Sequence, residues 1–456
     1  MSEAEEAAPV ATEAKPVRAT APAVVTEQGY LGHDFQDSFQ LLELDERWQI
    51  LAKLVHGVTG SLRMHAFRLA LTALLLATPA CSQSTSDPFS EPIGSGTEPI
   101  VVDVVEVASV PHVDGAAPRL MELIHEPVDD RLFVNGMRGP VWVMDAGGGP
   151  VREYLDLGDD RWDVQVDASG RERGVQNFAL HPQFAEEGAP GYGRLYTWTD
   201  TRNTEPSPDF PAEGDRVSHH TVLLEWRART PGADRYDGGP PRELARFEQP
   251  FGNHNGGDLG FNPLVAPGDP DFGLLYVGVG DGGAGGDPFG MAQDPGSGFG
   301  KILRLDPLGS DGPNGAYGIP EDNPHAGDDD PGTLGEIFAH GLRNPQHFAW
   351  DPVSGAMFVA DIGQSTVEEV SIVTAGSDLG WNDWEGSFRF HAEGGVFPDD
   401  PRSDAGVTYP VAEYDQQDPV LSDRTGVTGL HVVRGDRIPR VAGRVLFGDL
   451  PTGELF

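Results

Sequence analysis

His254, Asp281 and Arg343 are the side chains of this sequence best placed for joint chemistry. They lie in short polar blocks, NHNGGDLGF (253–261), VGVGDGG (277–283) and GLRNPQ (341–346), followed by DIGQSTVEEV (361–370) and LGWNDWEG (379–386). Each block ends an apolar, β-branched run, and polar residues at strand ends and on loops are where folds carry chemistry. An imidazole that titrates near neutral pH suits a general base. Glycines after His254 let backbone or a flat ligand come close to it. A carboxylate such as Asp281 can fix the tautomer of a nearby imidazole. A guanidinium such as Arg343 can stabilise an oxygen that becomes negative during reaction. One imidazole, one carboxylate and one guanidinium suffice for proton or hydride chemistry. On sequence alone each has a plainer reading: His254 capping a turn, Asp281 closing an Asx-turn, and Arg343 bridging two sheets through a carboxylate.

The elements that must position these residues recur along the chain. RLFVNG (131–136), GRLYTWTD (193–200), LLYVGVGDGG (274–283), AMFVADIG (356–363) and RVLFGDL (444–450) share one pattern, an aliphatic, an aromatic, then a β-branched or polar residue. Their aromatics, Phe133, Tyr196, Tyr276, Phe358 and Phe447, are spaced 63 to 89 residues apart, with further strand-like runs such as TVLLEW (221–226) between them. One repeat per multi-stranded sheet predicts an all-β fold of the β-propeller type. The spacing is too long for the coils of a β-helix, and no Greek-key spacing supports a sandwich. Five aromatics predict about five blades, and the chain ends at Phe456 inside a strand pattern. A propeller closes to remove its sheet edges, so a sixth blade beyond Phe456 is expected.

Taken in order, ERGVQNFALHPQF (172–184), NHNGGDLGF, VGVGDGG, FGKILRLDP (299–307), HGLRNPQHFAWDP (340–352), VADIGQ with the following Glu pair (359–369) and LGWNDWEG resemble the glucose/sorbosone dehydrogenase family over about residue 100 to the end. The resemblance implies a six-bladed propeller. Characterised members are soluble aldose dehydrogenases that use pyrroloquinoline quinone (PQQ) and Ca²⁺, and the family also holds hedgehog-interacting-protein-like members without demonstrated activity. It implies His254 as the base that takes the anomeric hydroxyl proton while hydride leaves C1, Asp281 as its orienter, and Arg343 with Asn344 against the cofactor. It places Glu172 and Asp258 at the cofactor site and Ca²⁺ on the backbone of Gly363 and Gln364. Glu368 and Glu369 match an acidic pair associated with a second, structural Ca²⁺; paired carboxylates are also common on exposed faces.

Departures accompany the match. Glu172 stands where sugar-oxidising members carry a Gln, Val175-Gln176-Asn177 replaces Leu-Leu-Gly, Asp258 replaces an Arg, and Pro451-Thr452 falls where a cofactor-binding Lys is placed. The resemblance therefore implies two functions of different kind: PQQ- and Ca²⁺-dependent oxidation of an aldose, or a non-catalytic propeller that binds carbohydrate or a protein with structural Ca²⁺. A propeller hydrolase would want a metal ringed by carboxylates and Asn, which the His254–Arg343 combination fits less well.

Composition bounds the rest. A chain of 456 residues with net charge -41 lacks the basic face that a phosphate backbone needs, which argues against nucleic acid. The single cysteine, Cys81, excludes an internal disulfide framework and a thiolate metal cluster. MHAFRLALTALLLATPAC (64–81) has the layout of a secretory signal peptide ending at a candidate lipid-anchored cysteine. That predicts an extracytoplasmic protein, an initiator at Met64 and a Ser/Pro/Gly-rich tether over 82–99. Upstream, an Ala/Glu/Pro-rich start reads as disordered, and DSFQLLELDERWQILAKLVHG (37–57) reads as one amphipathic helix. The substrate's sugar, the electron acceptor and the oligomeric state have no signature in the sequence.

Overall fold

The computed structural model describes residues 107–456 apart from 329, 393–394, 419–420, 422–424, 436–438 and 451–454, together with 88–89 and the backbone of three strands within 23–57. The leader at 64–81 and most of the 82–99 tether lie outside these residues. Phe89, within the tether, packs edge-on against Phe388 with ring centroids 5.6 Å apart.

Strands dominate because the sequence alternates. Four sheets of four antiparallel strands follow one another, each a simple meander in chain order. The first holds Leu120–Glu126, Arg131–Gly136, Pro140–Asp145 and Arg152–Asp156. The second holds Val175–Leu180, Arg194–Thr201, His219–Arg227 and Arg242–Gln249. The third holds Leu259–Phe261, Leu275–Val279, Lys301–Leu305 and Ile337–His340. The fourth holds Pro345–Trp350, Met357–Asp361, Val367–Val373 and Ala412–Asp415, its last two strands separated by a small three-stranded sheet within 384–397. Val427–Val433 and Arg444–Asp449 form a final pair. The repeated aromatics Phe133, Tyr196, Tyr276 and Phe358 all fall on the second strand of their sheet, and Phe447 on the second strand of the pair.

Consecutive sheets pack face to face, which the period of two makes possible. In the second sheet Val222, Leu224 and Trp226 point into the core shared with the first, while Leu223 between them points into the core shared with the third. The third sheet repeats the device: Leu275, Val277 and Leu303 face backward, and Tyr276 and Ile302 face forward onto Phe348, Met357 and Val359 of the fourth. Tyr414, Val427 and Leu430 bury the next interface. This serial stacking of meanders is the all-β propeller architecture expected from the repeat.

One expectation is revised. Over 37–57 the backbone forms strands His33–Leu44 and Arg47–Gly57, paired antiparallel, with Ala23–Tyr30 on the other side of the first. Trp48, Ile50, Ala52 and Leu54 alternate along the second strand, so the run satisfies a strand period as well as a helical one.

A buried histidine gives the fold a pH dependence. His181 follows the first strand of the second sheet, accepts from the Gln183 N–H through Nδ1 at 3.0 Å, and is pushed down to about 4, first by burial and then by the Arg194 charge. The unfolded chain binds this proton near 6.5, so the contribution to stability is whole above that pH and is lost as pH falls towards 4. The slope in this window is about 1.4 kcal/mol per pH unit. His181→Asn, which keeps an acceptor for Gln183, is expected to flatten the fall of the urea midpoint between pH 6.5 and 4. An unchanged slope would contradict this account.

Candidate active site

The sequence turns sharply after the apolar strand Leu275–Val279. Gly280 lies against the His254 carbonyl, where a Cβ would come within 2.1 Å of the oxygen. That contact fixes the NHNGG loop onto the strand end, and Gly256 with φ 70° lets the loop turn away. His254 itself adopts φ 54°, an uncommon conformation for a non-glycine residue. Its N–H donates to Glu172 Oε2 at 2.8 Å, which holds the backbone there.

The imidazole is buried and its Nδ1 lies 2.6 Å from Asp281 Oδ1. A carboxylate only accepts, so Nδ1 carries the proton and Nε2 presents its lone pair. Asp281 is fixed by three donors: Gly283 N–H at 2.9 Å on Oδ1, Trp381 Nε1–H at 2.9 Å on Oδ2, and the imidazole. Its own N–H donates to the Arg343 carbonyl at 2.8 Å, which ties the third sheet to the fourth.

Arg343 lies one loop away. Asp361 holds the backbone there, accepting from Arg343 N–H at 2.8 Å and Asn344 N–H at 2.6 Å. Burial pushes the Asp361 carboxyl up to about 6 against the pull of those two donors. The guanidinium donates through Nε to Gln364 Oε1 at 3.2 Å and through Nη1 to the Ile362 carbonyl at 2.8 Å. It stands 5.6 Å from the Trp381 ring centroid, within cation–π range. Among the described residues no carboxylate comes within salt-bridge distance of it, although it is only 8% exposed. Another buried cation, Lys301, is fully engaged by the carbonyls of Met291, Ala292 and Phe299 at 2.7–2.9 Å.

The structure thus brings His254, Asp281 and Arg343 together, with Glu172 against the His254 backbone and Asn344 beside Arg343. Asp258 belongs to another set: it accepts from Asn177 Nδ2, Leu259 N–H and Phe348 N–H at 2.6–2.9 Å, and burial pushes its carboxyl up to about 7. Gln364 acts here through its side chain, whose Oε1 also accepts from Gly286 N–H at 3.1 Å. The acidic pair separates, as neighbours on a strand must. Glu368 is taken up by four donors, Gly363 N–H, Val427 N–H, Gln416 Nε2 and Thr425 Oγ1, at 2.8–3.2 Å. Glu369 faces the other way. Burial, then the charges of Asp361, Glu413 and Glu385, hold its carboxyl well above the usual range.

Three residues of this region escape the sequence reading. Trp381 sits inside a recognised block, yet its indole N–H reaches Asp281, 100 positions earlier. Asp361 works on backbone N–H groups, which leave no sequence signature. Glu385 is buried; its Oε1 accepts from three successive N–H groups, Ser365, Thr366 and Val367, at 2.7–3.0 Å, while Oε2 has no hydrogen-bond partner.

Comparison with known proteins agrees with the fold. Residues 118–456 match the family model described as Glucose / Sorbosone dehydrogenase. The chain is 30% identical over 378 residues to HIPL1 protein of Arabidopsis thaliana, covering 75% of this chain and 50% of that protein. It is 27% identical over 205 residues to aldose sugar dehydrogenase YliI of Escherichia coli K12, covering 44% of this chain and 46% of that protein. The chain therefore spans about half the length of the curated relatives it matches. Among solved structures it superposes on the PQQ-bound aldose sugar dehydrogenase of Streptomyces coelicolor with a TM-score of 0.51 and 23% identity, covering 76% of this chain and 78% of that one. The soluble aldose sugar dehydrogenase of Escherichia coli in its apo form gives 0.53 and 21%, covering 73% and 84%. With its β-propeller fold and a family match over most of its length, the chain belongs to the glucose/sorbosone dehydrogenase family.

Proposed function

We propose that the protein oxidises an aldose or related sugar at C1 with PQQ as cofactor and Ca²⁺ as its companion ion. The observation that carries this reading is the convergence of an imidazole with a free Nε2 and a buried guanidinium without a carboxylate partner, joined through Asp281 and Trp381. Asp361 and Glu368 lend Arg343 their charge from beyond salt-bridge distance, so its guanidinium keeps donors to offer an arriving anion. Arg343 and Asn344 would hold the cofactor, which supplies a hydride acceptor when bound. His254 Nε2 would take the proton of the sugar's anomeric hydroxyl. Asp281 would stabilise the resulting imidazolium, and its three donors keep it from moving as charge changes. Arg343 would balance negative charge that builds on its ligand.

Calcium would be drawn to the charge around Glu369. Glu385 presents a buried oxygen without a donor, and the charges of Asp361, Glu413 and Glu385 act on Glu369. Glu369 and Glu385 would hold it, and the ion would supply positive charge near the cofactor.

The test is reconstitution. The protein is incubated with PQQ and Ca²⁺, and dye reduction is followed with glucose and other aldoses. Turnover that requires both additions is the expected result. Absence of both PQQ binding and aldose-dependent reduction under these conditions would exclude the enzyme and favour a carbohydrate- or protein-binding role.

A further inference from the structure

We propose a second metal centre, a divalent transition-metal site formed by Glu122, Asp258 and His347 where the first strands of separate sheets meet. Glu122 lies on Leu120–Glu126 of the first sheet and His347 on Pro345–Trp350 of the fourth; Asp258 directly precedes Leu259–Phe261 of the third. Their candidate ligand atoms all lie within 4.8 Å of one another. His347 Nδ1 is 3.8 Å from Glu122 Oε2 and 3.9 Å from Asp258 Oδ2.

Those separations are informative. They are too long for hydrogen bonds, so the imidazole and the two carboxylates face one another without bonding. They do match the spacing of ligands around one ion: metal–ligand bonds of about 2.0–2.2 Å put neighbouring ligand atoms about 3–4 Å apart. Among the described residues neither carboxylate has a Lys or Arg within salt-bridge distance. Two carboxylates would neutralise a dication, and one imidazole favours zinc-like ions over the all-oxygen preference of Ca²⁺.

The surroundings orient the group. Asp258 receives Asn177 Nδ2 from the second sheet at 2.7 Å and Phe348 N–H, next to His347, at 2.6 Å. With Leu259 N–H as well, three of about four lone-pair directions are filled. The remaining one is left for an ion. Outer partners of this kind fix ligand geometry in metal sites. Asn135 Oδ1 accepts from the Glu122 N–H at 2.9 Å and holds that strand in place. All four sheets thus contribute to the set.

The test uses the whole protein after treatment with a chelator, with Zn²⁺ as the probe in competition against a chromophoric chelator. One equivalent of Zn²⁺ per chain is expected, with affinity reduced at least about tenfold in His347→Gln and in Glu122→Gln. Circular dichroism identifies any variant that fails to fold, and the second variant then decides. His254→Gln should bind Zn²⁺ as the unaltered protein does. X-ray absorption of the Zn²⁺-loaded protein should show imidazole scattering that His347→Gln removes. No stoichiometric Zn²⁺ binding, binding undiminished in the folded His347→Gln and Glu122→Gln proteins, or binding lost only in His254→Gln would each overturn the proposal.

Discussion

Replacing His254 with alanine is expected to lower kcat for aldose oxidation in the reconstituted protein by about 10²–10⁴, the usual worth of a positioned general base. The expectation follows from one orientation. Asp281 accepts from Nδ1–H, so Nε2 is the nitrogen that receives a proton, and nothing else in the cluster is a comparable base. Glu172 is engaged by the His254 N–H, and Arg343 carries no lone pair. Removing the ring should leave PQQ binding close to unchanged, because the cationic contact lies on Arg343. Steady-state kinetics with a titration of PQQ separates the two. Full turnover in His254→Ala, with PQQ bound, would remove the imidazole from the mechanism. Asp281→Asn should lower kcat by less, since the ring would remain but lose its orienting charge.

The second large effect belongs to Arg343. Arg343→Met keeps much of the side chain's length and its contact with Trp381 but deletes the charge. If one charge-assisted contact contributes about 1.5–3 kcal/mol, PQQ affinity should fall roughly 10- to 150-fold. Arg343→Lys should rescue little. A single ammonium cannot reach Gln364 Oε1 and the Ile362 carbonyl together while lying over an indole, as the planar fork does. Equilibrium binding of PQQ with Ca²⁺ held in excess reads this directly. Equal affinity in Arg343→Met would show that the guanidinium serves the packing of sheets and not an anion.

Much of this architecture is legible in the sequence. Phe133, Tyr196, Tyr276 and Phe358 mark equivalent strands because a second strand, paired on both sides, tolerates little besides aliphatic and aromatic residues, and Phe447 repeats the pattern on the second strand of the final pair. His254, Asp281 and Arg343 could be picked out because strand ends expose them next to turn-forming glycine and proline. Other features could not be read. Asp361 and Glu385 anchor backbone N–H groups, and a backbone donor has the same identity at every residue. Glu122 sits in LMELIHE, whose burial runs inside, partly, partly, inside, and whose sequence reads as any half-exposed strand. Its meeting with Asp258 and His347 is a property of how whole sheets stack. The helix expected over 37–57 illustrates the converse, since a short run that fits two periods leaves its secondary structure to pairing partners.

Trp381 donates to an aspartate exactly one hundred positions earlier in the chain. Synthesis runs from the amino terminus, so His254 and Asp281 leave the ribosome well before the indole that completes their setting. The donor set of Asp281 therefore cannot be complete until the segment between the last two strands of the fourth sheet has been made.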